Sequence, residues 1–170
     1  MINYNYQGGI QKIKDAITEA SRVLSDENFY RLINQKNVFD YSNCTASQVT
    51  DAIKSCSLQL SIRTYKHPWG PSLGKEYPSD PTGIYINIAR RKFDERTIPS
   101  VVNTLIHEAV HAADADNVSL DFNHGDDNKS IGKGNSAPYW IGCLAEMLLQ
   151  NLGKVITVGE IDAQSRNDCG

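Results

Sequence analysis

The chain has 170 residues, 40% hydrophobic and 22% charged, with 17 Lys and Arg against 20 Asp and Glu for a formal net charge of −3. This suits one globular domain with a core of its own and leaves too little material for two. The absence of a basic cluster argues against a nucleic-acid-binding face, which gathers several Lys or Arg side chains against phosphates, and no apolar run reaches the length of a membrane span.

The first residues carry neither the basic n-region nor the apolar h-region of a signal peptide, so the expectation is cytoplasmic residence or export without a cleaved signal. Ile10, Ile13, Ile17, Ala20 and Leu24 recur at helical spacing, and Phe29, Leu32 and Ile33 continue the pattern after a break at Ser25 and Asp26. Two amphipathic helices follow from this. Thr45 to Gln48 reads as a capping box, and Ala46, Val49, Ile53 and Cys56 give the next helix its apolar stripe. Residues 1–56 are thus a helical support layer in which no chemistry is visible. Cys44, Cys56, Cys143 and Cys169 are scattered without a C-x-x-C pair, which excludes a zinc ribbon and a dense disulfide framework. Buried thiols are expected, with a bridge between Cys44 and Cys56 as the alternative.

The period then changes. Leu58, Leu60, Ile62 and Thr64 alternate with polar neighbours, as do Ile84, Ile86 and Ile88 with Tyr85, Asn87 and Ala89, predicting two half-buried strands paired antiparallel. Between them, residues 67–82 hold four of the six prolines together with Trp69 and Tyr77, a length and composition that suit a substrate-rim loop. His67 in this loop either touches substrate or metal or is simply solvated.

After the charged turn 90–96, a helix is predicted from about Thr97, with Pro99 in its first turn, to about Asp114. It carries His107-Glu108-Ala109-Val110-His111. The (i, i+4) spacing of His107 and His111 puts both imidazoles on one face, where they can share a zinc ion, while Val102, Ile106, Ala109 and Ala113 form a stripe for the core. Glu108 is rotated about 100° from His107, a position from which a carboxylate reaches a metal-activated water as general base without being a ligand. The acidic stretch 114–135 lacks the Gly and Glu positions of an EF-hand loop. Ser136 is placed as the cap of a last helix with Ile141, Leu144, Ala145, Leu148 and Leu152 inward, residues 154–158 as a short strand, and 161–170 as a polar tail.

A catalytic zinc takes three protein ligands and keeps one position for water, so His107 and His111 need a third. His124, thirteen residues beyond His111 and followed by Gly125, is the preferred candidate; Asp121, Asp126, Asp127 and Glu146 are the alternatives. The chemistry expected is metal-assisted amide hydrolysis with Glu108 as the proton carrier. Tyr139 and His67 are the candidates for a second donor to the oxyanion, and Asp114 and Asp116 for orienting a ligand histidine.

On these residues the chain resembles the zincin metallopeptidases. With the elements read above, the expectation is an α+β, zincin-like single domain over 1–170: a helical N-terminal layer that the resemblance does not reach, a small antiparallel sheet, the His-Glu-x-x-His helix and a C-terminal helix, with 57–160 as the catalytic core. It also implies that an edge strand such as 82–90 pairs with an extended peptide substrate. The runs 99–114, 124–126 and 135–142 are similar to metallopeptidase domains at the C-termini of Rhs-type and other polymorphic bacterial toxins. Such domains are implied to act as effectors in rival cells and to meet an immunity protein. More distantly the chain resembles SprT-like proteases in its His-Gly after the motif, and departs from them in lacking a cysteine zinc ribbon and a basic surface. A zinc amidase acting on peptidoglycan and a catalytically idle zincin-fold binding module are the competing readings.

Overall fold

A computed structural model of the chain describes residues 2–66, 74–77, 80–88, 93–124 and 133–167. Among these it is α+β. The helices are α1 (Gln11–Leu24), α2 (Glu27–Asn34), α3 (Ala46–Ser55), α4 (Ile98–Asp116), α5 (Ala137–Gln150) and α6 (Val158–Asn167). The strands are β1 (Asn3–Asn5), β2 (Gln59–Tyr65), β3 (Gly74–Tyr77) and β4 (Asp80–Asn87).

The N-terminal helices form where periodicity places them. Ile13, Ala16, Ala20, Val23 and Leu24 of α1 are buried, as are Phe29, Leu32 and Ile33 of α2. The break between them is a cap: the Asp26 carboxylate accepts from the Asn28 N–H at 2.9 Å. The Thr45 capping box is present in full, with Thr45 and Gln48 bonded reciprocally. Cys44 and Cys56 are separate free thiols, not a bridge, whereas Cys143, against the expectation of a buried thiol, is disulfide-bonded.

The sheet departs from expectation. Its order is β1-β2-β4-β3; β1 pairs with β2, and β2 with β4, in parallel, and only β3 runs antiparallel, against β4. Alternation has the same period in both kinds of pairing and so carries no direction. Parallel strands require a long crossover, and α1 to α3 supply it between β1 and β2. Between β2 and β4 the proline-rich connection contains β3, which turns back on β4 with Tyr77 opposite Asp80. β4 is therefore interior, and the edge on this side is β3, not the strand 82–90 expected to offer it.

The C-terminal region differs as well. Residues 155–157 are not a strand, and the expected polar tail is largely α6. Ile161 is fully buried, and Asp162 accepts from Trp140 Nε1 at 2.7 Å and from Lys36 Nζ at 2.6 Å. Lys36 is 8% exposed and also lies over the Trp140 ring. Polar composition disguised a helix whose apolar anchors, Val158 and Ile161, and acceptor, Asp162, find their partners only in the folded chain.

α4 runs through the middle of the core, packed on α1, α3, α5, β3 and β4. Thr97 caps it, accepting from the Ser100 N–H, with Pro99 in the first turn. Its stripe of Val102, Ile106, Ala109 and Ala113 is wholly buried, but so are Val101, Leu105 and Val110, so it is enclosed on more than one face. Arg96 straps its first two turns through Ser100 Oγ, the Ser100 carbonyl and Thr104 Oγ1. Lys12 of α1 holds the preceding segment by donating to the carbonyls of Phe93, Asp94 and Arg96. Tyr4 of β1 donates to the Leu105 carbonyl at 3.0 Å, two residues before His107. The middle of α4 is thus fixed from the sheet side as well as by its own caps.

Candidate metal centre

His107 and His111 project from successive turns of α4, and their Nε2 atoms stand 3.2 Å apart. The helix ends at Asn117, and the chain turns back over it. The Leu120 N–H bonds to the Asn117 carbonyl, while Asn43 holds Asp121 through both backbone groups, accepting from its N–H and donating to its carbonyl. The Asp114 carboxylate accepts from the Phe122 N–H at 2.8 Å, and Phe122 is fully buried. This turn delivers His124 to the other two histidines. Ring centroids are 4.6 Å apart for His111 and His124 and 5.4 Å for His107 and His124. One candidate ligand atom from each of the three lies within 4.8 Å of the others, the metal-ligating cluster found among the described residues.

The donor set fits zinc. Nitrogens about 2.0–2.1 Å from one tetrahedral zinc stand about 3.3 Å from each other. The His107–His111 pair already has that spacing, and each of the three rings keeps part of its surface open. His107 and His111 are also held in the charge state a metal needs. Burial holds the His107 pKa well below the usual histidine value, with the charges of His111 and His124 adding to the shift. Burial likewise pushes His111 down to about 3, helped by His124 and Lys133. Neutral imidazole is the form that binds a metal.

Glu108 is 9% exposed, next to His107 on α4. Tyr139, in the first turn of α5, sets its ring edge-on to His107 at 4.6 Å and tilted against His124 at 5.2 Å, closing one side of the cluster. α5 comes this close because Gly142 lies against Asn103 of α4: a Cβ at Gly142 would stand 2.5 Å from Asn103 Oδ1. Sequence reasoning gave Gly142 no role, and a glycine in a helix otherwise rich in large apolar residues was the signal available.

Of the alternative ligands, Glu146 and Asp121 are placed outside the histidine cluster. Glu146 accepts from Asn103 Nδ2 at 2.8 Å and from Gln150 Nε2 at 3.0 Å, and is not in the histidine cluster. Asp121 accepts from Asn123. Asp126, Asp127 and His67 lie outside the described residues. Asp114 does not orient a histidine through its ring nitrogen but holds the turn that carries His124, and Asp116 stands by Cys56, whose thiol is raised chiefly by burial. Ser136 occupies the N-cap position of α5, yet its hydroxyl donates back to the Lys133 carbonyl at 2.8 Å.

No protein-family model, curated protein or solved structure matches this chain.

Proposed function

We propose that the chain is a zinc-dependent hydrolase of amide bonds, a metallopeptidase, with His107, His111 and His124 as metal ligands and Glu108 as general base. The observation that carries this reading is the convergence of three imidazoles around one point, two of them from a His-Glu-x-x-His helix with its glutamate intact.

When bound there, zinc supplies Lewis acidity that acidifies water and polarises a carbonyl. The three histidines would hold the metal from one helix, α4, and from the turn that follows it. Glu108 takes the proton of the attacking water and passes it to the leaving amine, a role its enclosed position favours. Tyr139, packed on two of the ligands, is the candidate donor to the developing oxyanion. The edge strand β3, packed near α4, is the candidate for main-chain pairing with an extended peptide.

Elemental analysis should give about one zinc per chain. Glu108→Gln should keep the zinc and the fold but lose hydrolysis of peptide substrates by orders of magnitude. A chain without stoichiometric transition metal, or a fully active Glu108→Gln, would sink the proposal. Cleavage of cell-wall stem peptides but not proteins would assign the chain to the amidases. The resemblance of the stretches around the histidines to polymorphic-toxin domains supports an effector as the setting. Growth arrest on bacterial expression of the parent, absent with Glu108→Gln, is the corresponding expectation.

A further inference from the structure

The loop between α2 and α3 bonds to both chain segments that close the metal centre. On one side Asn43 forms a pair of bonds with Asp121: its N–H donates to the Asp121 carbonyl at 2.9 Å, and its Oδ1 accepts from the Asp121 N–H at 3.0 Å. Asp121 is three residues before His124. On the other side Asp40 forms a second pair with Asn135: its N–H donates to the Asn135 carbonyl at 3.1 Å, and its carboxylate accepts from Asn135 Nδ2 at 2.8 Å. Asn135 immediately precedes the N-cap of α5 and is four residues before Tyr139, whose ring lies against His107 and His124.

The backbone of Tyr41 joins the two pairs. Among the described residues it alone, glycine aside, lies in the left-handed region, with φ 61°, a conformation that a Cβ makes costly. Its side chain is 57% exposed and has little packing to set against that cost. The bonds on either side hold it instead, and Ser42 Oγ tightens the turn by accepting from the Cys44 N–H at 3.0 Å. Reversed in this way, Asp40 and Asn43 stand three residues apart yet grip segments that are remote from them in the chain and from each other.

We infer that Asp40, Tyr41 and Asn43 are positioning residues of the metal centre, a clasp that sets His124 and Tyr139 together. His124 is the one ligand of the three that α4 does not carry, so its placement depends on what holds the turn before it. Asp114 pins that turn from α4, and Asn43 pins it from the N-terminal layer, where the sequence shows no chemistry. The inference rests on the metal centre proposed above.

The test is chelator competition for zinc with the full chain, each variant checked by urea unfolding when metal-free. Asn43→Ala removes the acceptor for Asp121 and should lower zinc affinity about 10-fold or more, the scale on which groups that orient a ligand act. Asn43→Asp keeps an acceptor there and should stay within about threefold of the parent. Asp40→Ala loosens Tyr139 rather than a ligand and should lower the affinity less, with Asp40→Asn restoring it. Tyr41→Gly takes up the left-handed turn freely and should bind as the parent does. Tyr41→Val, β-branched, should lose about as much as Asn43→Ala, although neither change at Tyr41 removes a bond of the clasp. Thr50→Val is the control: it breaks the bond from buried Thr50 to Asn34, which ties α3 to α2 at 2.9 Å, and should lower the urea midpoint with zinc affinity unchanged. The visible spectrum of the cobalt-loaded chain should change in Asn43→Ala and not in Thr50→Val.

Zinc binding within about twofold of the parent by folded Asn43→Ala and Tyr41→Val overturns the inference, because such a change is well below what a positioning group supplies. An equal loss of affinity in Thr50→Val also overturns it, since the effect is then one of stability alone. If Asn43→Ala fails to fold, Tyr41→Gly against Tyr41→Val decides in the same way. Zinc binding by every chain at one affinity removes only the clasp; zinc binding by none, the parent included, removes the metal centre with it.

Discussion

Asp114→Ala tests whether the turn after α4 is what delivers His124. The Asp114 carboxylate accepts from the N–H of Phe122, a fully buried residue two positions before His124, at 2.8 Å, and is also bonded to the Asn123 side chain. Burial raises the Asp114 pKa and the Phe122 N–H opposes that rise, as expected of a carboxylate bonded in its charged form. Removing the acceptor leaves a buried N–H unsatisfied, at about 1.5–3 kcal/mol for a bond to a charged group. If that loss falls on the position of His124, zinc affinity should drop by about 10- to 100-fold. Asp114→Asn keeps an oxygen in place and should lose less than about 10-fold. Chelator competition reads the affinity, and urea unfolding of the metal-free chains reads the stability. An Asp114→Ala chain that is destabilised but binds zinc within a factor of two of the parent would refute the reasoning, because the turn would then not be what positions the ligand.

Three further outcomes are expected. His124→Ala should abolish tight zinc binding whereas Glu146→Ala leaves it intact, since Glu146 is engaged by Asn103 and Gln150; the reverse result in chelator competition would make the site a two-histidine, one-carboxylate centre. Asp162→Ala strips Lys36, only 8% exposed, of its counter-charge and Trp140 of its acceptor, and should lower the unfolding free energy in urea by about 2–4 kcal/mol, with Asp162→Asn losing less; an unchanged midpoint would show that α6 adds nothing to the core. The metal-free chain should weaken in acid. The folded pKa values of His107 and His111 lie below the unfolded value near 6.5, so the unfolded chain takes up protons first as pH falls. Stability is then complete above that value and lost below it, down to the folded pKa of about 3 for His111, with about 2 kcal/mol lost through His111 by pH 5 and a further loss in the same direction through His107. Equal urea midpoints at pH 7.5 and pH 5 would show that protons reach these rings in the folded state at no cost.

The helices α1 to α5 and the pairing of His107 with His111 on one helix face were legible in the sequence. Periodicity in α1 to α4, the Asp26 break, the Thr45 capping box and the Thr97 start are local, decided by residues within a turn or two of each other. The pairing of His107 with His111 is local for the same reason, because one helical turn fixes both. His124 was reachable by elimination among four histidines. The remainder depends on contacts that form only in the folded chain. Strand direction depends on where the crossover returns, which alternation does not encode, so β2 and β4 came out parallel and β3 took the edge. The segment read as a polar tail became α6 because Ile161 is buried in the core and Asp162 accepts from Trp140 of α5 and from Lys36 beyond α2, both more than twenty residues away in the chain. The closeness of Tyr139 to the histidines depends on Gly142 admitting α4 against α5, and the burial of Lys133 on His124 depends on a turn anchored by Ser136. These are contacts between elements remote in sequence. Their energies exist only once the chain has closed around α4, and no pattern of neighbouring residues records them.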